Sequence, residues 1–290
     1  GGLIESNPVL IAAWAALILL LVAALLVFLG ARRLLPPFFA RAKENPVLAP
    51  NPEHSWESQA VFNPAALLHD GRVHLFYRAL GGDGVSRIGH ASSEDGVHFD
   101  ERTPYPVYSE DIAEAFRSRH FYTSPVPPSY NSVYYTSGGG WGGSEDPRIV
   151  SIENKALLTY SSFRDWSSIR IMLTTLTHDD LNKREWKWSR PSRLSPHGRI
   201  NKNWVLFPEK FNGRYAILHT ISPKVCVHYT DEVDNLEHGL FFESLYHPHD
   251  PSREGEWDRQ VRGAGAPPIK TNDGWLLFYH AIDPKDPGRY

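Results

Sequence analysis

Two adjacent carboxylates, Glu145 and Asp146, stand between a glycine pair and a Pro-Arg pair in Gly142-Gly143-Ser144-Glu145-Asp146-Pro147-Arg148. Glycines allow a sharp bend and close backbone approach. Pro147 restricts the residue before it, so Asp146 is expected in an extended conformation. A neighbouring Arg148 could tune its pKa. The stretch suits the mounting of a general acid. It equally suits a structural turn carrying an ion pair, and the pattern alone leaves both readings open.

Basic residues form further groups. Asn201-Lys202-Asn203, Phe207-Pro208-Glu209-Lys210 and His219 make one; Asn63-Pro64 with Arg78 and Arg87 make another. Converging on one cavity, such cations would hold phosphate through charge-assisted hydrogen bonds. Taken singly, each is a solvated charge or a packed stem. A further group runs from Gly263 to Lys270, with Tyr279, His280 and Asp283 behind it, and its Gly and Pro content reads as a loop. His247-Pro248-His249-Asp250 looks metal-like, but its proline and loop-like surroundings favour a solvated loop, and no metal is expected. No phosphate-cradling glycine loop, nucleophile elbow or His-Glu-x-x-His motif is found.

The elements that must position these groups read as strands. Asp70-Gly71-Arg72, Glu153-Asn154-Lys155, Asn212-Gly213-Arg214 and Asp273-Gly274 each lead into a mostly apolar strand ending in Tyr or His. Such turns accommodate positive φ, as primed hairpin turns require. The later copies recur roughly every 60 residues, with a second strand after most of them, which is the pattern of propeller blades. Ala156–Leu158 and Leu276–Phe278 are apolar on both faces, as strands packed between blades would be. The alternative is a β-sandwich with coincidental spacing. The wealth of Trp (9), Tyr (13), Phe (14), Pro (23) and Gly (22) fits short strands and tight turns, and equally fits a sugar-binding cleft. A net charge of −3 lacks the basic excess of a nucleic-acid partner. The single Cys226 rules out an internal disulfide and a cysteine zinc cluster.

Val9–Leu29 carries no charge over 21 residues. At about 1.5 Å per residue a helix of that length spans a ~30 Å hydrocarbon core, so one transmembrane α-helix is expected at about 9–29. Arg32, Arg33, Arg41 and Lys43 follow it and predict a cytoplasmic globular domain anchored to the lipid bilayer. The expected organisation is residues 1–44 for helix and basic linker and 45–290 for an all-β domain. A start at Gly1-Gly2 and a stop at Tyr290, just after a strand and turn, read as a fragment with its C-terminal end incomplete.

Taken in order, Asn63-Pro64-Ala65, Phe76-Tyr77-Arg78-Ala79, Ser86–Ala91, Glu145-Asp146-Pro147-Arg148, Asn201–Lys210 and Ala266–His280 resemble glycoside hydrolase family 130, the β-mannoside phosphorylases and β-mannosidases. The resemblance covers about 45–290. It implies a five-bladed β-propeller with a central active site, and inverting phosphorolysis of a β-linked mannoside oligosaccharide to α-mannose 1-phosphate. Inorganic phosphate is then the co-substrate and no cofactor is required. It implies Asp146 as general acid, acting through a sugar hydroxyl; Arg78, Arg87, Lys202 and His219 at the phosphate; and Asn63, Glu145, Arg148, His280 and Asp283 at the mannoside. Inverting hydrolysis needs a second carboxylate to activate water, whereas phosphate is already a nucleophile and needs cations to hold it. The basic set therefore favours phosphorylase over hydrolase, for which Glu209, Glu243 and Asp283 are the candidate bases. A non-catalytic glycan-binding or scaffolding propeller is the other alternative. Thr103–Trp141 is longer than expected between these motifs, and its Tyr130, Tyr134, Tyr135 and Trp141 suggest a loop over the cleft.

Overall fold

Asp70 and Gly71 both take positive φ (46° and 76°), so strand β1 (Ala60–His69) folds straight back into β2 (Arg72–Leu80). The computed structural model describes residues 17–18, 20–22, 39–110, 142–165, 168–196, 200–234, 236, 240 and 254–283. The chain separates into two units, Gly1–Asn45 and Pro46–Tyr290. In the second, β1 and β2 continue antiparallel into β3 (Val85–Ser93) and β4 (Glu101–Arg102). A second antiparallel meander follows: β5 (Gly142–Ile152), β6 (Lys155–Asp165), β7 (Ser168–Thr177) and β8 (Ser192–Arg193). A short helix α1 (His178–Lys183) sits between β7 and β8, capped by the Thr177 hydroxyl, which accepts from the Asp180 N–H. The third group is β9 (Val205–Leu206), β10 (Tyr215–Thr220) and β11 (Cys226–Thr230). The fourth pairs β12 (Gln260–Ala264) with β15 (Tyr279–Ile282), and β13 (Ile269–Thr271) with β14 (Gly274–Leu276).

The core lies between successive groups, as in a propeller. Phe76, Ile88, Leu158, Tyr160 and Leu176 cluster between the first and second. Val150, Leu157, Ile171, Leu173, Trp204 and Ile217 fill the space between the second and third. Val205, Leu218 and Ala264 pack between the third and fourth. Strand β6 shows why its sequence is apolar on both faces: Ala156 and Leu158 point into one cluster and Leu157 into the next. The first two blades also touch edge to edge, where Val85 and Ser86 pair in parallel with Gly142 and Gly143. The fold is propeller-like, with blade-on-blade packing that brings the first strand of each blade toward the site.

The expectation of a transmembrane helix before this domain is corrected. Among the described residues no helix is long and apolar enough to cross a membrane. Most of Val9–Leu29 lies outside the described residues, which are helical there only at 17–18 and 20–22. The membrane-anchored placement, the lipid bilayer as a partner and the cytoplasmic orientation drawn from the basic residues rested on that helix and fall with it. Most of Thr103–Trp141, together with Glu243 and His247–Asp250, also lies outside the described residues.

Two buried histidines tie the first blade's stability to pH. His74 Nδ1 and His90 Nε2 are 3.0 Å apart, one donating and one accepting. Burial, with the positive surroundings of His69, Arg72 and Arg184, lowers the pKa of His74 to about 4. Burial lowers that of His90 to about 3. Both are neutral at pH 7 in the native state. Below the ordinary value of 6.5 the unfolded chain binds protons that these groups refuse. Stability therefore falls as the pH drops from 6.5 toward 4, by up to about 1.4 kcal/mol per pH unit for each histidine. Urea midpoints at pH 7 and pH 4.5 are expected to differ markedly in the wild type and less in a His74→Gln, His90→Gln double variant. An equal change of midpoint between the two pH values in both proteins would show the loss to originate elsewhere.

Candidate active site

Asp146 stands out of its sheet. Between Glu145 and Arg148 the β5–β6 register shifts, so two residues on β5 oppose one on β6. The extra residue puts Asp146 at φ 50°, in the left-handed region rather than the extended conformation expected before Pro147. Aspartate and asparagine tolerate that region better than other non-glycine residues. The first blade repeats the device: β1 shifts register between Phe62 and Ala65, with Asn63 at φ 46° before Pro64. The two bulges face each other, and Asn63 Nδ2 donates to Asp146 Oδ1 at 2.6 Å. Positive φ recurs at Asn203, just before β9, and at Gly263 within β12 (64° and 135°). Asn203 Nδ2 donates to the Arg262 carbonyl at 2.7 Å. A Cβ on Gly263 would lie 2.7 Å from that of Asn203, so only glycine fits there.

Around the two carboxylates the cations are arranged in order of depth. Arg78 is 1% exposed; its guanidinium donates to Glu145 (2.8 Å), Asp146 (3.3 Å) and Ser86 Oγ (3.0 Å) and lies over the Phe62 ring. Lys202 Nζ is 3.5 Å from Glu145 and 3.9 Å from Asp146. Arg148 is buried behind Pro147 and donates to its carbonyl. Glu145 has no exposure at all, which makes it a brace between Arg78 and Lys202. Burial by itself would raise the pKa of Asp146. Lys202, Arg78 and Arg148, with the Asn63 hydrogen bond, outweigh that and hold the carboxyl well below the usual range.

Further residues complete the picture. His280 on β15 lies opposite Gly263, and its pKa is lowered to about 4 by burial, Arg148 and Arg262. His219 on β10 packs its ring against Trp204 and is lowered to about 4 by burial and His228. Lys202, His219 and Arg262 together line a small cavity of about 20 Å³, room for one water. Both imidazoles are thus neutral donors or acceptors at neutral pH. Arg87 is not part of this cluster: its guanidinium is bound bidentately by Asp83 at 3.1 and 2.6 Å. Asp283 follows β15 and is half-buried. Glu209 is paired with Lys270 at 2.6 Å on the surface. Arg262, 6% exposed in β12, is a residue that sequence reasoning missed; it stands one position before the Gly263–Lys270 group, outside the glycine- and proline-rich signal. Among the described residues no group of three or more His, Cys, Asp or Glu could hold a metal ion.

Asp146 and Glu145, surrounded by Arg78, Lys202 and Arg148, are set where the first strands of the blades meet in a propeller-like fold. Residues 133–289 match the model of glycoside hydrolase family 130, described as β-1,4-mannooligosaccharide phosphorylase. A 1,2-β-oligomannan phosphorylase of Thermoanaerobacter sp. (strain X514) is 33% identical over 84% of this chain and 71% of its own length. A β-1,2-mannobiose phosphorylase of the same organism is 34% identical over 84% and 72%. The structure of a glycosyl hydrolase from Bacteroides ovatus superposes with a TM-score of 0.58 at 23% identity, over 86% of this chain and 72% of that one, a likeness of fold. The chain belongs to glycoside hydrolase family 130, and its enzyme class is that of the glycoside phosphorylases acting on β-mannosides.

Proposed function

We propose that residues 45–290 form the catalytic unit of a β-mannoside phosphorylase in which Asp146 is the general acid. The observation that carries this is the charge balance of the site. Glu145 and Asp146 are surrounded by Arg78, Lys202 and Arg148, with Arg262 one step further out. Cations exceed carboxylates, so the site invites an added anion. In the reaction, an oxygen of inorganic phosphate attacks the anomeric carbon from the face opposite the leaving group. The C–O bond to the leaving sugar breaks as the new C–O–P bond forms. The leaving oxygen receives the proton of Asp146, relayed by a sugar hydroxyl, and the products are α-mannose 1-phosphate and a shortened mannoside.

Lys202, His219 and Arg262 are the phosphate-binding side chains of this reading. Their enclosed cavity holds little more than a water, so the anion sits at its mouth. Arg78 acts from behind, as a fixed positive charge on the two carboxylates. Asn63 holds the Asp146 carboxyl group in its out-of-ladder orientation. Arg148 and His280 face the mannoside. Asp283 is the base for the competing hydrolytic reading.

Product analysis separates the two. With β-1,2- and β-1,4-mannobiose, mannose 1-phosphate is expected only when phosphate is present, in amounts equal to the shortened sugar. Free mannose at an unchanged rate without phosphate would replace this reading by hydrolysis, and Asp283→Asn would then be expected to remove it. Binding of either sugar without product would leave a glycan-binding propeller.

A further inference from the structure

The first blade carries a second cavity, far from Asp146. It measures about 350 Å³, at the low end of the range of about 300–1,000 Å³ typical of small-molecule sites. Strand β3 connects the two places. Its Ser86 touches Arg78 in the catalytic cluster, whereas its Ala91 and Ser92 pair with Arg102 and Glu101 at the cavity. Five to six residues of extended chain separate them, about 16–20 Å at about 3.3 Å per residue.

The cavity is built. Trp186 is half-buried against His90 (ring centroids 4.7 Å apart) and edge-on to Phe76. Its indole N–H has no hydrogen-bond partner among the described residues. Tyr105, 54% exposed, supplies a second ring. Glu101 is held by Arg72, Arg184 and Ser92 Oγ, and Thr103 Oγ1 lies 3.3 Å from His90 Nδ1. The charges at the cavity are paired among themselves: Glu101 is met by Arg72 and Arg184, and the Arg102 guanidinium is taken up by Glu57, the Tyr77 hydroxyl and the Ala49 carbonyl. Anions and cations alike therefore find no net attraction. A neutral polyol finds carboxylate acceptors in Asp100 and Glu101, the half-exposed Arg184 guanidinium as donor, and two aromatic rings for its C–H faces, the usual mixture of a small-molecule site.

We infer that this cavity is a second saccharide site, binding a neutral hexopyranose unit of an oligomannoside outside the catalytic centre. That the sugar is a mannoside rests on the function proposed above. A second contact on the same chain raises the local concentration of the reacting end without new chemistry.

The test follows the indole ¹⁵N–H resonances of the full chain in separate titrations with β-1,2- and β-1,4-mannotetraose. Trp186→Phe, which keeps an aromatic ring in the packing, assigns the Trp186 signal, and Trp204, packed on His219, reports the catalytic site. A saturable shift of the Trp186 signal with at least one tetraose is expected. Tyr105→Ser should weaken the dissociation constant read there about ten-fold, as loss of an aromatic contact does, while the Trp204 response stays unchanged. A Trp186 signal that stays still while Trp204 moves overturns the second site and leaves the mannoside reading standing. If neither moves, the second site falls, and the mannoside reading is decided separately by the release of mannose 1-phosphate. A shift of Trp186 that Tyr105→Ser leaves unaltered would also overturn the site as drawn, because Tyr105 forms its wall.

Discussion

Replacing Asp146 by Asn is expected to lower kcat for phosphorolysis by about 10²–10⁴-fold, the range for loss of a general acid. The exchange is nearly isosteric, and the amide oxygen that it introduces can still accept from Asn63 Nδ2, which donates to Asp146 at 2.6 Å. Fold and sugar binding are therefore retained. One negative charge is lost among Lys202, Arg78 and Arg148, so the KM for phosphate should stay level or fall. A kcat above about a tenth of wild type would remove Asp146 from the acid role, given what a positioned acid contributes. The same cations explain how the pH profile should look. In the empty site they hold Asp146 ionised, whereas a donor must be protonated. Bound phosphate brings negative charge beside Lys202, offsets those cations and lets burial raise the pKa. Activity must fall as pH rises through the pKa of this acid. The falling limb should lie at higher pH in kcat, which reports the complex, than in kcat/KM, which reports the free enzyme. Coincident limbs would mean that phosphate does not load the acid.

Local signals were legible in the sequence, and those set by tertiary contact were not. The turns at Asp70-Gly71 and Asn212-Gly213 take positive φ at both positions, as their residue types require. The alternation that places Leu157 and Leu158 in different clusters is a property of one strand and reads directly. The ordered motifs pointed to Asp146, Lys202, Arg148 and Asn63, and these four share one cluster. Arg87 shows the limit. Its neighbours in the chain include Asp83, four residues earlier, and that pair closes on itself; nothing in spacing tells a guanidinium which carboxylate it will meet. The conformation of Asp146 was misread for a related reason. A proline favours extended geometry at the residue before it, but a bulge depends on the partner strand's register, which no single strand encodes. The signal available was the repetition of Asn-Pro in β1 and Asp-Pro in β5, each opening a blade.

Glu145→Gln is expected to destabilise the protein by about 3–5 kcal/mol, the range for removing one partner of a buried ion pair. Glu145 has no exposure and Arg78 has 1%, and their bond of 2.8 Å lies out of water. Glutamine is similar in size, so no cavity is created and the loss is electrostatic. Arg78 keeps Ser86 and Asp146 but loses its nearest full charge. Lys202, 3.5 Å from Glu145, is left to Asp146 alone. At about 2–4 °C per kcal/mol for a domain of this size, Tm should drop by about 6–20 °C. A second consequence separates a positioning role from plain scaffolding. With Glu145 neutral, Arg78 and Lys202 both bear on Asp146, so its pKa falls further and less of it is protonated at a given pH. The kcat of Glu145→Gln should therefore fall at neutral pH and recover in part as the pH is lowered, well below the Tm of the variant. Glu145→Asp keeps the charge and should restore most of the pH profile even where the shorter side chain leaves stability reduced. A Glu145→Gln variant with wild-type pH dependence would show that Glu145 only holds the blades together and does not set the charge on the acid.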